Sequence, residues 1–219
     1  MPRRTDDFRG LAQPSRLQLL AEIQRHPGLL LRELAIRTGL HENTVRDHLA
    51  VLEAEGLIAR RTVHPGTRGR PPGTYHPVRA PEENSEAVRR IDRAARNGDF
   101  LRGRARHAAE RDEARELSIE ALHQLDTLYE HLDDSGFQPD LDDERLEFDL
   151  VPCPQYALVE REHDQELVCH VHSQLIRDTL SQVPGPVRLT LLEPHLTPER
   201  CRVHLGLDTE GGVAPAREA

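Results

Sequence analysis

Three cysteines in the last third of the chain are the residues best suited to chemistry. Cys153, Cys169 and Cys201 are the only cysteines among 219 residues, and they fall within one 49-residue window. Because the N-terminus lacks the apolar segment of a secretory signal, we expect reduced thiols rather than a structural disulfide. One alternative is that the thiols are small core hydrophobes, but their clustering favours a shared site.

Polar and basic residues between positions 41 and 72 suit a second kind of chemistry, the binding of DNA. The segment HENTVRDH at 41–48 contains an arginine, which can pair with guanine, and an asparagine, which can pair with adenine. The segment RGRPP at 68–72 is narrow and extended, and arginines are favoured in narrow minor grooves. The predicted DNA contacts are Asn43, Thr44, Arg46, His48, Arg68 and Arg70.

The charge of the chain is divided unevenly along its length. The formal net charge is −9. Residues 1–80 hold 13 arginines against 8 acidic residues, a balance of +5, whereas residues 81–219 hold 16 against 30, a balance of −14. A basic N-terminal third on an acidic remainder indicates that only the first part faces nucleic acid.

A helix-turn-helix followed by a wing would position the DNA-binding residues. Apolar spacing predicts helices over 11–25, 31–38 and 41–55, then short strands over 57–63 and 73–78. A tight connection joins the second and third helices, and the strands place Arg68 and Arg70 at the tip of a hairpin. The sequence therefore predicts a winged helix-turn-helix domain over 11–80, preceded by a flexible N-terminus over 1–10.

Residues 81–116 are charged and rich in alanine, and they predict a helical connector. The break Asn97-Gly98-Asp99 would divide this connector into two helices. The two predicted apolar stripes are Val88, Ile91 and Ala95, then Leu101, Ala105 and Ala108. A solvated connector and a dimerisation helix are both compatible with this pattern.

The segment over 117–208 predicts a small α+β sensor domain, so the fold class of the whole chain is α+β. Its predicted helices are one with the apolar stripe Leu117, Ala121, Leu125, Leu128 and Leu132, and two more over 154–163 and 165–182. Its three predicted strands have alternating inward residues, which are Leu146, Phe148 and Leu150 in the first, Val187, Leu189 and Leu191 in the second, and Val203, Leu205 and Leu207 in the third. Residues 209–219 predict a disordered tail.

The segment TVRDHLAVLEAEGL at 44–57 resembles the winged-helix bacterial regulators of the broad ArsR class. In that class a T-V-x-x-H-L-x-x-L-x-x-x-G-L pattern ends the recognition helix and leads into the wing. The matching residues are Thr44, Val45, His48, Leu49, Leu52, Gly56 and Leu57. His41 departs from the serine or threonine N-cap that is frequent in the class, and histidine is a weaker cap.

The cysteine arrangement is similar to one branch of that class, the repressors that control iron–sulfur cluster assembly. Cluster-binding members have four cysteines in this region, and Cys153, Cys169 and Cys201 match three of them by motif. The fourth cysteine is absent from this chain. The resemblance therefore implies a site that needs a further ligand.

Histidines are the candidates for that further ligand. His172 is the first choice, because it follows Cys169 by three residues on the same helical face. His163 and His195 are the next choices. The resemblance implies an iron–sulfur cluster first; zinc is the second expectation, because Cys₃His suits it, and the third is no cofactor.

These features predict a DNA-binding transcription regulator that acts as a homodimer on a palindromic operator in double-stranded DNA, and not an enzyme. In the first hypothesis the C-terminal domain senses metal or redox state; in the second it holds a metal-free small-molecule pocket. An enzyme with Cys169 as nucleophile and a histidine base is the third, unsupported by any nucleophile elbow, phosphate loop or paired carboxylate motif. No run of 18 apolar residues occurs, so we expect a cytoplasmic protein without membrane contact.

Overall fold

The structure is a computed structural model that describes most of the chain. The described residues are 11, 13–62, 72–108, 117–151, 153, 162–197 and 200–208, with the backbone alone given for 99–108, 162–164 and 195–197. Several predictions lie outside the described residues: the flexible N-terminus, the wing tip with Arg68 and Arg70, the second apolar stripe of the connector, most of the helix over 154–163 and the disordered tail.

The N-terminal part contains the predicted three helices and a small sheet. Its elements are α1 (Pro14–Arg25), β1 (Leu29–Leu30), α2 (Leu31–Thr38), α3 (Glu42–Ala54), β2 (Ile58–Thr62) and β3 (Gly73–Pro77). The strands pair antiparallel in the order β1-β3-β2. The sequence missed β1, which is only two residues long and adds a third strand to the wing.

Local chemistry sets the ends of the helices that form the helix-turn-helix. At the start of α2, the Glu33 carboxylate accepts a hydrogen bond of 2.7 Å from the Leu30 backbone N–H, one of the donors that a helix start leaves without a helical partner. Gly39 ends α2 at a φ of +68°, where glycine avoids a Cβ clash. His41 caps α3, because its Nδ1 accepts from the Asn43 N–H at 3.2 Å.

The connector is one continuous helix, α4 (Ser85–Ala108), and not the two helices predicted from the sequence. A glycine costs a helix interior only about 1 kcal/mol relative to alanine, so Gly98 does not interrupt it. The first predicted stripe is not the side that α4 buries, because Val88 is 40% exposed. The buried positions described in this helix include Ala87, Arg90 and Ala94.

The C-terminal part combines two helices with a four-stranded antiparallel sheet. Its elements are α5 (Ile119–Asp134), β4 (Gln138–Asp142), β5 (Glu147–Val151), α6 (Glu162–Ser181), β6 (Val187–Thr197) and β7 (Arg200–Leu207). The strand order is β4-β5-β7-β6. The sequence missed β4, because its residues QPDLD include types that are depleted in strands, although an edge strand tolerates proline.

Strand β6 departs from the predicted alternation at Leu191, which is 54% exposed. Val187 is buried and Leu189 packs against the core, as predicted. A register shift between Leu189 and Leu191 then reverses the facing of the strand, so that Leu192 packs against the core in place of Leu191. An inserted residue of this kind has the same effect as any one-residue slip in a strand.

Two hydrophobic cores share the helix α6. The first core joins the winged helix to Val168, Val171 and Leu175 of α6. The second joins α5 and the four-stranded sheet to Ile176 and Leu180 of the same helix. A displacement of α6 would therefore change the packing of both parts.

Candidate functional site

The exposed side of α3 carries the residues predicted to contact bases. Val45 and Leu49 point into the core, whereas Asn43, Thr44 and Arg46 are exposed. All three exposed residues lie in the first turns of the helix. This end of a recognition helix is the one that meets base edges in the major groove.

Hydrogen bonds hold three of the predicted DNA contacts in place. Arg46 Nη1 donates to Asn43 Oδ1 at 2.6 Å, so these two side chains form a pair on the exposed surface. His48 is half-buried, and its Nε2 lies 2.9 Å from Ser15 Oγ in α1. Burial, together with the nearby Arg16, lowers the pKa of His48. His48 therefore positions α3 against α1, and its contact with DNA stays a prediction.

Two exposed arginines of the wing were not among the residues predicted to contact DNA. Arg60 and Arg61 are exposed on β2. The side chain of Arg60 packs over Gly73, where an added Cβ would be 2.1 Å from Arg60 Nε, and Arg61 forms an ion pair with Glu83. The consecutive arginines in the strand sequence IARRT were the available signal.

Arg46 is expected to determine base preference. Changing Arg46 to alanine should lower affinity for the preferred base at one position of each half-site by roughly 1–3 kcal/mol, as loss of a bidentate contact does. Selection from random duplexes, followed by competition binding, measures this change. Arg89→Ala removes the same charge from an exposed site on α4 and should leave the preference intact. Equal weakening on every sequence would instead assign Arg46 to phosphate contact.

The three cysteines and His172 line one cavity in the C-terminal part. Cys153 follows β5, Cys169 and His172 belong to α6, and Cys201 belongs to β7. The ring of His172 is held edge-on to Phe137, with the ring centroids 5.3 Å apart. The structure thus brings together donors from three parts of the fold, and their role as ligands stays a prediction. Of the alternative ligands His163 and His195, only the backbone is described.

A second histidine, His131 of α5, lines the same cavity and was missed from the sequence. His131 is 3% exposed, and its Nδ1 is buried without a hydrogen-bond partner. His172 keeps part of its surface accessible, but its Nε2 is likewise buried and unpartnered. Across the described residues, no group of three or more donors is arranged to hold a metal ion as it stands. Binding of an ion would require these side chains to draw together.

Burial favours the uncharged forms of three donors in this cavity, Cys169, His172 and His131. It raises the pKa of Cys169 to about 11, with a smaller contribution from Cys201. It also lowers the pKa of His172 to about 4 and places the pKa of His131 well below its usual range. A protonated thiol is a poor nucleophile, which disfavours Cys169 as a catalytic residue. Neutral imidazoles, in contrast, are ready to bind a metal.

The size of the cavity limits what it holds. Its free space is about 10 Å³, close to the roughly 10–15 Å³ that one water needs, whereas organic ligands occupy pockets of about 300–1,000 Å³. The remaining lining residues are Leu132, Ser135, Phe137, Leu150, Val168, Ile176 and Leu192. Within the walls formed by the described residues, the cavity has room for a single ion but not for an organic effector.

A larger groove of about 590 Å³ lies between α1, α2 and α6. It is open and polar, and its lining includes Glu22, Arg37, Glu166 and His170. Glu22 forms an ion pair with Arg37 at 3.4 Å. This groove has the size for an organic ligand that the cysteine cavity lacks.

A profile of the winged helix-turn-helix DNA-binding family matches residues 13–59. The match runs from the start of α1 into β2 and covers less than a quarter of the chain. No curated protein and no solved structure matches the chain. The N-terminal part is therefore a winged helix-turn-helix DNA-binding domain, which supports a DNA-binding regulator rather than an enzyme. In the described part of the chain, no helix has the length and apolar character to cross a membrane.

Proposed function

We propose that the chain is a sequence-specific transcription regulator whose affinity for DNA changes when its cysteine cavity binds a metal. The observation that carries the proposal is the position of α6, which packs in the winged-helix core on one side and lines the cavity on another. DNA binding itself is supported by the family match and by the exposed side of α3. The resemblance to the ArsR class and to its iron–sulfur branch is part of the proposal.

The chemistry of the cavity indicates which metals the residues suit. Thiol and imidazole donors favour zinc, iron and copper over magnesium and calcium, which prefer oxygen ligands. Cys153, Cys169, Cys201 and His172 would hold the metal, with their thiols deprotonated on binding. A single ion fits the free space of about 10 Å³, whereas an iron–sulfur cluster would require the walls to part. The metal would supply a fixed positive charge that stabilises the thiolates.

The helix α6 connects the cavity to the winged-helix core. Cys169 and His172 line the cavity, while Val168 and Val171 are buried against the N-terminal helices. Gln24 of α1 also donates from Nε2 to the Val171 carbonyl at 3.4 Å. Any movement of α6 on metal binding would change the packing of α1 on this helix.

Hydrogen bonds join the C-terminal end of α6 to the segment that follows the wing. Gln182 Nε2 donates to the Val78 carbonyl at 2.9 Å. Arg79 Nε donates to Asp178 Oδ1 at 3.1 Å. Val78 and Arg79 directly follow β3. A shift of α6 would therefore reach the wing as well as the helix-turn-helix.

The proposal includes a homodimer on a palindromic operator. Helix-turn-helix dimers bind two half-sites that lie about one helical turn, or a multiple of it, apart. The helix α4 offers an apolar side, where Val88 is 40% exposed and Ile91 is partly exposed. This side borders the buried side that contains Ala87 and Ala94, and its exposure supports α4 as the dimerisation helix.

The test compares the full-length protein with and without Zn²⁺. A fluorescent duplex selected from a random library serves as the DNA, and affinity is measured over a range of salt. We expect affinity to fall linearly with salt on logarithmic axes, because phosphate contacts release counterions. We expect Zn²⁺ to change affinity by about 5–150-fold, the usual range of allosteric coupling, and Cys169→Ser to remove that change.

The outcomes separate the parts of the proposal. Absence of salt-dependent DNA binding would contradict the regulator itself. DNA binding that is identical with and without Zn²⁺, and with and without an anaerobically assembled cluster, would contradict metal sensing. In that case the polar groove of about 590 Å³ between α1, α2 and α6 would support the alternative regulator with an organic effector.

A further inference from the structure

His131 occupies a position that is costly for a histidine unless something binds its ring. It lies in the last turn of α5, is 3% exposed and lines the cysteine cavity. Its Nδ1 is buried and has no hydrogen-bond partner. Leaving a polar group buried and unpartnered costs about 1–3 kcal/mol, so an apolar side chain would stabilise the fold more.

A second histidine at the cysteine cavity also has a buried ring nitrogen without a hydrogen-bond partner. His172, in the facing helix α6, also has a buried Nε2 without a partner, and both histidines line the cavity together with the three cysteines. A second unpartnered nitrogen at the same cavity roughly doubles the cost. One bound group that contacts both imidazole nitrogens would therefore remove both costs at once.

Only small partners fit this space. A water molecule bonded to both imidazole nitrogens would meet only the minimum of two polar contacts, and the thiols would add only weak hydrogen bonds. A metal cation that takes nitrogen and sulfur ligands satisfies both imidazoles and the thiols at once. Zinc, cobalt and ferrous iron belong to this class, whereas magnesium and calcium do not.

We propose that His131 is a direct ligand of the cation bound in this cavity. The inference rests on the proposed metal sensing and adds to it a donor from α5, so that the ion would join α5 to α6 and to the sheet. The donors are not assembled in advance, so binding draws α5 and α6 toward each other. His131 and His172 each supply one neutral nitrogen, and the cysteines supply the remaining ligands.

The test uses the metal-free full-length protein and Co²⁺ or Zn²⁺ alone. Affinity for Zn²⁺ is measured by competition with a chelator, and Co²⁺ reports tetrahedral geometry and thiolate ligation through its visible and charge-transfer absorption. His131→Gln should weaken Zn²⁺ binding by more than the roughly 10–100-fold that loss of an outer partner costs. His123→Gln is the matched control, because His123 lies two turns earlier in α5 and also has a buried, unpartnered nitrogen, but does not line the cavity.

A second variant keeps the test decisive if His131→Gln does not fold. His131→Cys retains a donor and should bind Co²⁺ with stronger thiolate-to-cobalt absorption than the wild-type protein. If the wild-type protein binds metal and both His131 variants keep its Zn²⁺ affinity and its Co²⁺ spectrum, His131 is not a ligand. Metal sensing would then remain intact. A wild-type protein that binds neither ion would overturn metal sensing itself.

Discussion

Replacing Arg90 with methionine should destabilise the protein by about 3 kcal/mol, the low end of the cost of breaking a buried ion pair. Arg90 is 2% exposed. Its Nε donates to Asp134 Oδ2 at 3.2 Å, and its Nη2 donates to the Glu55 carbonyl at 3.1 Å. The variant removes the hydrogen bonds that Arg90 donates to this carbonyl and to the Asp134 carboxylate. Arg93 also pairs with Asp134, and this pair limits the loss of stability.

Urea unfolding measures this loss as a change in midpoint at constant slope. The control is Arg89→Met in the neighbouring position of α4, where Arg89 is 60% exposed and pairs with Glu86; an exposed pair contributes about 0–1 kcal/mol. The double variant Arg90→Met with Asp134→Leu should recover part of the stability, because it removes both partners. Equal midpoints for the Arg89 and Arg90 variants would contradict a stabilising role for Arg90.

Arg90 lies on a side of the connector that apolar periodicity could not identify. The periodicity gave the stripe Val88, Ile91 and Ala95 without assigning it to the core, and the helix buries Ala87, Arg90 and Ala94. In a hydrophobic pattern an arginine predicts a surface position. Here the Asp134 carboxylate of α5 and the Glu55 carbonyl at the end of α3 compensate the charge of the buried Arg90. Such compensation depends on tertiary partners that a single helix sequence does not contain.

The winged helix was predictable because its pattern and its packing agree. Leu34, Val45 and Leu49 are buried as their helical spacing requires, and Gly39 adopts the left-handed conformation that ends α2. Most of these contacts join elements that are close in sequence. Local propensity and the hydrophobic pattern were therefore sufficient to place α2 and α3 within one residue and the start of α1 within three.

The cavity was predictable only in part. The cysteines and His172 were selected by residue type and resemblance, and the fold brings all four to one space. His131 was overlooked, although it follows the inward Leu128 by three residues and therefore shares its side of the helix. The spacing contained that signal, but the apolar stripe was drawn through Leu132 and ended there.

Cutting the bond between α6 and the wing should uncouple metal binding from DNA binding. Gln182→Leu removes the 2.9 Å hydrogen bond to the Val78 carbonyl while filling the same buried position, where Gln182 is 6% exposed. We expect unchanged Zn²⁺ affinity, because residue 182 lies 13 positions beyond Cys169, roughly 20 Å along a helix. The about 5–150-fold effect of Zn²⁺ on DNA affinity should fall to a few-fold, since one of the contacts that carry movement of α6 to the wing is lost.

Parallel titrations of Zn²⁺ and of DNA on the same variant measure this uncoupling. The matched control is Ser181→Ala, one residue earlier: Ser181 Oγ bonds the Asp178 carbonyl within its own helix at 2.7 Å and reaches the Arg79 carbonyl only at 3.5 Å. Ser181→Ala should retain the full effect of Zn²⁺ on DNA affinity. Retention of the full effect by Gln182→Leu would show that the response reaches the DNA-binding domain through other contacts of α6, which are the Arg79–Asp178 ion pair and the packing of Val168 and Val171 on α1.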